Sequence, residues 1–394
     1  MQNGGNVKFP KSGVIAAGLA LFSMFFGAGD LIWPLILGGK SGDQNFYAMI
    51  GLLISGVSLP MLGLMGMMLF RGDYWAFFGQ TGRIPGIVLV FLVQAILGPF
   101  GSIPRLMTLA HATLEPYLPT FFTLPVFSIA ACVLIFLFTV KPKKIVDIMG
   151  VFLSPILILA LSVILIIGFW NPPAPEVVEI THKTSFFHGL NTGYNTLDLI
   201  ASFIFAPLVL SYFSREKGAL DTPDSRRQIF KKMVKACALA GLLLAGMFVG
   251  LTYLASFYTP VLPTHNPEAR LAAISRYILG REGAFFSCIA VSLSCLTTAI
   301  PISVISAEYI QKQFFRGKGN LHIAVAISLG LSTAVANLGF MGIASMLSPI
   351  LQILCPGLIL LSILNILHKL YEMPMRRTPV FAAFALSLFG YLIH

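Results

Sequence analysis

The charged side chains inside long apolar runs of this 394-residue sequence include Asp30, Arg105, Asp198 and Glu308. A charge at the centre of a membrane helix is disfavoured by about 2.5–3.5 kcal/mol on insertion scales, so such groups face a cavity, a partner or an ion. We expect Asp30 and Asp198 to lie close together and to share a cation, a proton or an ammonium group. Arg105 fits an ion pair with Asp30 and a gating or ligand-binding role equally well. Glu308, at the end of its run, is expected to form a gate or to anchor Lys312.

Two of the acidic residues coincide with interruptions of apolar runs. The first interruption spans Gly27 to Asp30 and is closed by Trp33-Pro34, and the second is expected from Asp198 to Pro207, after Gly193-Tyr194-Asn195-Thr196. Glycine permits non-helical dihedral angles, and proline removes a backbone donor. An unwound helix exposes N–H groups that attract a carboxylate and carbonyl groups that attract an ammonium group or a metal cation. The alternative is that the glycines only permit close helix packing.

The elements that carry these residues are predicted to be membrane-spanning helices. Hydrophobic residues make up 57% of the chain and charged residues 10%, and the mean hydropathy is +0.86, which excludes a water-soluble globule. Each crossing needs about 20 mostly apolar helical residues. Eleven such runs occur, at 13–37, 46–70, 84–114, 121–140, 145–170, 191–212, 229–257, 282–311, 321–340, 342–367 and 376–393. They lack the alternation typical of a transmembrane barrel, so the predicted fold class is all-α.

The basic residues are distributed asymmetrically between the loops on the two sides. The formal net charge is +11, but twenty of the 26 Lys and Arg residues fall on one side, five fall on the other, and Arg105 lies within a span. By the positive-inside rule, this distribution predicts a cytoplasmic N-terminus. The basic charge therefore reports membrane topology, with lipid as the partner, and it does not indicate nucleic-acid binding.

The spans divide into two halves of equal number. The first five cover 13–170 and the next five cover 191–368, with the proline-rich segment 171–175 between them, and an additional helix follows at 376–394. Because five is odd, the second half crosses the membrane in the opposite sense. This arrangement is the inverted repeat of many secondary transporters, in which paired interrupted helices mark the binding site.

Four segments resemble the bacterial branched-chain amino acid:cation symporter family (LIVCS), which has the LeuT-type fold of the APC superfamily. They are GLALFSMFFGAGDLIWP at 18–34, LGPFGSIPR at 97–105, GYNTLD at 193–198 and CLTTAIPISVISAE at 295–308. The resemblance covers nearly the whole chain. It implies a multi-pass protein of the bacterial cytoplasmic membrane that carries leucine, isoleucine or valine, with methionine as a further candidate.

The resemblance also implies the positions that bind the substrate. The carboxylate would contact the backbone at Gly27, Ala28 and Gly29, and the ammonium group would contact carbonyls of the two unwound segments near Asp198. Phe203 and Phe205 are the candidates for the apolar pocket that selects the side chain.

A cation site between the first and eighth spans follows from the same resemblance. Its ligands would be the carbonyls of Ser23, Phe26 and Ser294 and the side-chain oxygens of Thr297 and Thr298. Oxygen-only ligation suits a hard ion such as Na⁺, and no cofactor other than the coupling ion is expected. The alternative is that the threonine hydroxyls bond to carbonyls one turn back in their own helix.

The sequence departs from the family at Asp30, where Asn is usual. Two carboxylates in a dry site favour retention of a proton, so a proton-coupled symporter that uses Asp30 and Asp198 is the main alternative. Family members usually have twelve spans, and this sequence ends at His394 after the eleventh, so the C-terminus is expected outside. A channel and an intramembrane enzyme are more distant alternatives, since neither a pore filter nor a convergent catalytic or metal-ligating set emerges.

Overall fold

The structure, a computed structural model, describes residues 12–139, 153–214, 223–260, 266–316 and 320–393 and contains no strand within those ranges. The helices are α1 (Ser12–Phe25), α2 (Ala28–Ser41), α3 (Asn45–Leu53), α4 (Leu59–Leu69), α5 (Tyr74–Phe78), α6 (Arg83–Leu97), α7 (Ser102–Leu114), α8 (Leu124–Thr139), α9 (Ser154–Gly168), α10 (His182–Asn195), α11 (Asp198–Phe213), α12 (Pro223–Tyr258), α13 (Arg270–Gln313), α14 (Leu321–Ala336), α15 (Gly339–Tyr371) and α16 (Thr378–Ile393). A π-helical turn at Ile54–Ser58 joins α3 to α4.

Several helical runs in the described ranges are suited to a membrane. Five are long and apolar enough to cross it: Ala28–Leu69, Arg83–Tyr117, Arg227–Tyr258, Gly283–Gln313 and Gly339–Tyr371. A sixth is the pair α10 and α11, and five shorter apolar helices of 10–17 residues accompany them. The all-α prediction is confirmed. The count of eleven spans and the division into two five-span repeats stay predictions, and the expected start of the fifth span at 145 lies outside the described residues.

The first interruption separates α1 from α2 at Phe26 and Gly27, so its predicted extent is wrong beyond Gly27: Ala28, Gly29 and Asp30 belong to helix α2. Gly27 has extended dihedral angles (φ −110°, ψ −156°), and its N–H donates to the Asp30 carboxylate at 2.8 Å. In a continuous helix that N–H would bond to the Ser23 carbonyl four residues earlier, so the interruption releases this carbonyl for other partners. Asp30 thus caps the N-terminus of α2, where a negative charge is favourable.

The second interruption lies earlier in the chain than expected. The prediction from Asp198 to Pro207 is wrong, because those residues belong to the continuous helix α11, and the break falls at Thr196 and Leu197. Leu197 is left-handed (φ 74°), and α10 and α11 meet at 42°. Pro207 is accommodated inside α11. The sixth run also begins earlier than 191, since the polar segment His182–Asn195 forms α10.

The two interruptions are in direct contact. A Cβ added to Gly29, in the first turn of α2, would lie 2.7 Å from the carbonyl oxygen of Thr196. Only glycine permits this approach. A third interruption, from Gly98 to Gly101, separates α6 from α7 and brings the first turn of α7 towards the same place. The fold therefore joins three broken helical runs around one buried point.

Candidate functional site

A buried cavity lies where the three interruptions meet. Its volume of about 20 Å³ suffices for about one water molecule. The polar lining comes from Gly27 to Asp30, Ser102, Arg105, Thr196, Asp198 and Thr298, and the apolar lining comes from Met24, Phe25, Leu97, Leu197, Ala201, Phe205 and Ile302. Every predicted substrate residue except Phe203 is in this lining. A cavity with a polar end and an apolar wall suits a small molecule that has both characters.

Phe203 is not in the cavity lining, so the cavity gives no support to its predicted role in the substrate pocket. Its ring packs against Phe77 and Phe78, with centroids 5.3 Å from each. Phe205 lines the cavity and contacts Phe25 edge to face at 5.2 Å. Successive helical residues are rotated by about 100°, so positions 203 and 205 point in nearly opposite directions.

Asp30 and Asp198 meet inside the cavity, as expected. Each is only 1% exposed, and their carboxyl groups face each other closely enough for a shared proton to join them. Within the described residues, Oδ1 of Asp30 and Oδ2 of Asp198 accept no hydrogen bond from a donor group. The pair can therefore hold a proton, a metal ion or an ammonium group between its oxygens.

The expected cation ligands gather beside the end of α1. The Ser23 carbonyl accepts hydrogen bonds from the hydroxyls of Thr297 (3.0 Å) and Thr298 (3.2 Å), and the Phe26 carbonyl accepts one from Ser294 (2.6 Å). Ser294 thus presents its hydroxyl to this site, where its carbonyl was expected. The Thr297 hydroxyl also bonds to the Ser294 carbonyl at 3.1 Å. Thr297 therefore makes the predicted contact with Ser23 and, in addition, the alternative bond to a carbonyl one turn back in its own helix. These oxygens, at the negative end of a helix, form a set that a hard cation prefers.

Arg105 is buried to 1% exposure beside the cavity. Its Nη1 donates to the Asn195 carbonyl at 2.9 Å, and its guanidinium carbon lies 5.4 Å from the centre of the Phe340 ring. Among the described residues, neither Nε nor Nη2 has a hydrogen-bond partner. The ion pair with Asp30, one of the two expectations for Arg105, is not formed, because the partners of Arg105 are this carbonyl and this ring.

Glu308 lies at the surface and pairs with Lys312 at 3.8 Å. The side chains are 50% and 60% exposed, so the pair adds at most about 0.5 kcal/mol. This contact agrees with the expected anchoring role, and Glu308 is not in the cavity lining.

A short segment between apolar runs, missed by sequence reasoning, contacts the helices that carry the site: the turn Pro267–Ala269 and the adjoining Arg270. Arg270, at the start of α13, donates from Nη1 to the Leu35 carbonyl of α2 at 3.0 Å. The carboxylate of Glu268 lies near the backbone N–H of Phe340 at the start of α15. Burial raises the pKa of Glu268 to about 7; the Phe340 N–H opposes this rise and the charge of Glu115 adds to it. The only sequence signal was a short polar stretch between two apolar runs.

A transition-metal site is absent from the residues that the structure describes. No group of three His, Cys, Asp or Glu side chains could hold a metal ion there. The oxygen-rich end of α1 and the Asp30–Asp198 pair are two places whose chemistry suits a hard cation.

Comparison by sequence gives one family. The family model described as "Branched-chain amino acid transport protein" matches residues 10–392. The branched-chain amino acid permease BrnQ of Bacillus subtilis is 30% identical over 396 residues, which cover 97% of this chain and 88% of the permease. The branched-chain amino acid transport system 3 carrier protein of Pseudomonas aeruginosa is 29% identical, covering 89% of this chain and 80% of the carrier.

Comparison by structure gives the LeuT-type fold. Mhp1, a nucleobase-cation-symport-1 family transporter, aligns in its closed conformation with a TM-score of 0.62 and 13% identity, covering 95% of this chain and 91% of Mhp1. A manganese transporter of Eremococcus coleocola aligns with a TM-score of 0.60 over 98% of this chain and 96% of its own. At this level of identity the likeness concerns the fold alone.

Proposed function

The chain belongs to the family of branched-chain amino acid transport proteins, and we propose that it imports leucine, isoleucine and valine together with a sodium ion by alternating access. It is an integral membrane transporter and not an enzyme, as the permease and carrier names of its relatives indicate. Methionine is a further candidate substrate. The proposed location is the bacterial inner membrane with a cytoplasmic N-terminus, which the distribution of basic residues supports.

The observation that carries the sodium proposal is the released carbonyl of Ser23. Because Gly27 donates its N–H to Asp30, this carbonyl has no partner in its own helix and takes the hydroxyls of Thr297 and Thr298. A hydroxyl keeps its lone pairs when its proton rotates away, so carbonyl and hydroxyl oxygens together become ligands when a cation enters. The negative end of the α1 dipole adds to the attraction.

The apolar wall supports a branched aliphatic side chain. Phe25, Leu97, Ala201, Phe205 and Ile302 present hydrocarbon to the cavity without a polar group in their side chains. Burial of a leucine-sized side chain there stabilises binding by about 1.5–3 kcal/mol. Discrimination between leucine, isoleucine and valine is expected to be modest, because one methylene contributes only about 1–3 kcal/mol.

The cavity must enlarge before a substrate enters. Its volume of about 20 Å³ is far below that of an amino acid, and it lies among side chains that are buried on all sides. The helices around it therefore have to separate towards one face of the membrane and then the other. This requirement favours alternating access over an open channel, and a counterflow assay distinguishes the two, since only a carrier exchanges labelled for unlabelled leucine.

A proton is the second candidate for the coupling ion, and the contact between Asp30 and Asp198 favours it. Two buried carboxyl groups that face each other repel when both are ionised, and a shared proton removes that repulsion. A proton that leaves for the cytoplasm once per cycle would couple transport to the proton gradient. In this case Thr297 and Thr298 would serve only to pack α13 against α1.

Uptake by purified protein in proteoliposomes tests the proposal. Labelled leucine is presented under an imposed sodium gradient or an imposed proton gradient, and the initial rate is measured. Thr298→Ala removes one oxygen from the cation site and is expected to raise the sodium concentration for half-maximal uptake about tenfold or more. Thr113→Ala is the matched control, because Thr113 is also buried and its hydroxyl donates within its own helix, to Leu109 at 2.8 Å. The control should keep the wild-type sodium dependence.

Asp30→Asn separates the two coupling ions. Sodium coupling predicts that this variant retains a response to sodium, since asparagine can still accept the Gly27 N–H and is the usual residue of the family. Proton coupling predicts that proton-driven uptake disappears in the same variant. A sodium dependence equal to that of the wild type in Thr298→Ala contradicts the assigned cation site.

A further inference from the structure

Arg105 carries a binding edge that the protein itself leaves unfilled. The guanidinium has five N–H donors and stays protonated in proteins, so burial without acceptors is costly. At 1% exposure, only Nη1 of Arg105 has a carbonyl partner, and Nε and Nη2 have none among the described residues. These two nitrogens form one side of the planar group, and the parallel N–H bonds of such a side match the two oxygens of a carboxylate.

The position of Arg105 reinforces its need for an anion. It lies in the first turn of α7, which begins at Ser102 after the Gly98–Gly101 interruption. Arg105 and Ser102 both line the cavity. The N-terminus of a helix carries a partial positive charge, so a cation there is unfavourable for helix stability. The guanidinium and the helix end thus attract the same negatively charged group, and stability of α7 does not explain the arginine.

The alternative place for a carboxylate already faces two acidic side chains of the protein. The resemblance pointed to the backbone of Gly27, Ala28 and Gly29 as the carboxylate site. In the structure the Gly27 N–H donates to Asp30 at 2.8 Å, so the negative group at this helix end belongs to the protein. A second carboxylate placed there would be repelled by Asp30 and by the adjacent Asp198.

We propose that Arg105 binds the α-carboxylate of the transported amino acid through Nε and Nη2. This inference rests on the proposed function, since it requires an amino acid substrate. The substrate then lies across the cavity, with its carboxylate at the start of α7 and its ammonium group towards Asp198. Its side chain faces the wall that contains Phe205. Arg105 thereby selects a free carboxylate, and the acidic pair selects a positive charge.

A comparison of leucine with leucinamide tests the role of Arg105. Leucinamide has the same side chain and ammonium group but carries a neutral amide where leucine has a carboxylate. Binding of both compounds to the full-length purified protein is measured by calorimetry at constant sodium. The wild type should bind leucine more tightly than leucinamide. Arg105→Gln should weaken leucine binding by about 30-fold or more and leave leucinamide binding nearly unchanged.

The controls separate binding from folding. Arg377→Gln is matched, because the Nε of Arg377 donates to the Gln80 carbonyl at 3.1 Å far from the cavity, and both affinities should stay as in the wild type. If Arg105→Gln does not fold, Arg105→Lys is used instead. Lysine keeps the charge but lacks the two-nitrogen edge, so leucine binding should fall about tenfold while leucinamide binding persists.

Three results would overturn the inference. If an Arg105 variant keeps the wild-type preference for leucine over leucinamide, Arg105 does not bind the carboxylate. Equal loss of leucine and leucinamide binding makes Arg105 a structural residue. Absence of leucine binding by the wild type overturns the proposed function, whereas the first two results leave that function intact.

Discussion

Substitution of Gly29 by alanine is expected to disrupt transport through a single methyl group. The added Cβ would lie 2.7 Å from the carbonyl oxygen of Thr196 and 2.9 Å from its Cα. Ordinary contact begins at 3.4 Å, so the two interruptions must separate by about 0.7 Å. Overpacking costs about 1–3 kcal/mol, and the upper part of that range applies here because backbone atoms cannot rotate away.

The same substitution also stabilises helix α2, because alanine has a higher helix propensity than glycine. Alanine in place of glycine favours a helix by about 1 kcal/mol, so the net cost is about 2 kcal/mol, or about a 30-fold change in a two-state ratio. Leucine uptake into proteoliposomes should therefore fall at least tenfold in Gly29→Ala. Gly246→Ala is the matched control, since its Cβ would meet nothing within 4 Å, and it should retain uptake with an equal or higher melting temperature. Wild-type uptake by Gly29→Ala would show that the two interruptions do not touch as described.

Two further predictions concern Glu268 and the aromatic residues Phe203 and Phe205. Since burial raises the pKa of Glu268 from 4.5 to about 7, the stability from its packing is full below pH 4.5 and is lost as the pH rises through 7. Labelling of Ala269→Cys by an impermeant thiol reagent should increase between pH 5 and 8 by more than ionisation of the thiol alone explains. Adding Glu268→Gln should remove this excess, and an excess that persists would implicate another group. Phe205→Leu should change the relative KM values for leucine, isoleucine and valine. Phe203→Leu should lower stability by on the order of 1 kcal/mol at unchanged KM, and the reverse pattern would contradict the assigned orientations.

The sequence predicts the helical class well and places the first interruption to within a few residues, because both depend on local composition. Several predicted limits lie within a few residues of the helices, such as the run 321–340 against α14 (Leu321–Ala336). Gly27 lies at the observed break, where its dihedral angles are extended. Asp30 was predicted to meet Asp198, since each charge inside an apolar run needs a partner, and the fold brings them together.

The errors arise where tertiary contacts outweigh local preference. Helix α10 contains His182 and other polar residues, which hydropathy assigned to a loop. Its helical form follows from packing on α3, where Gly189 approaches the Ala48 carbonyl so closely that only glycine fits. Pro207 suggested a break that the helix tolerates, whereas the actual break at Leu197 has no glycine or proline to mark it.

The decisive measurement is a structure determined with leucine and sodium bound. We expect leucine between the Phe26–Gly27 and Thr196–Leu197 interruptions, with its ammonium group towards Asp198, and a sodium ion in contact with the Ser23 carbonyl and the Thr298 hydroxyl. Leucine bound elsewhere, or continuous helices through both interruptions, would contradict this expectation.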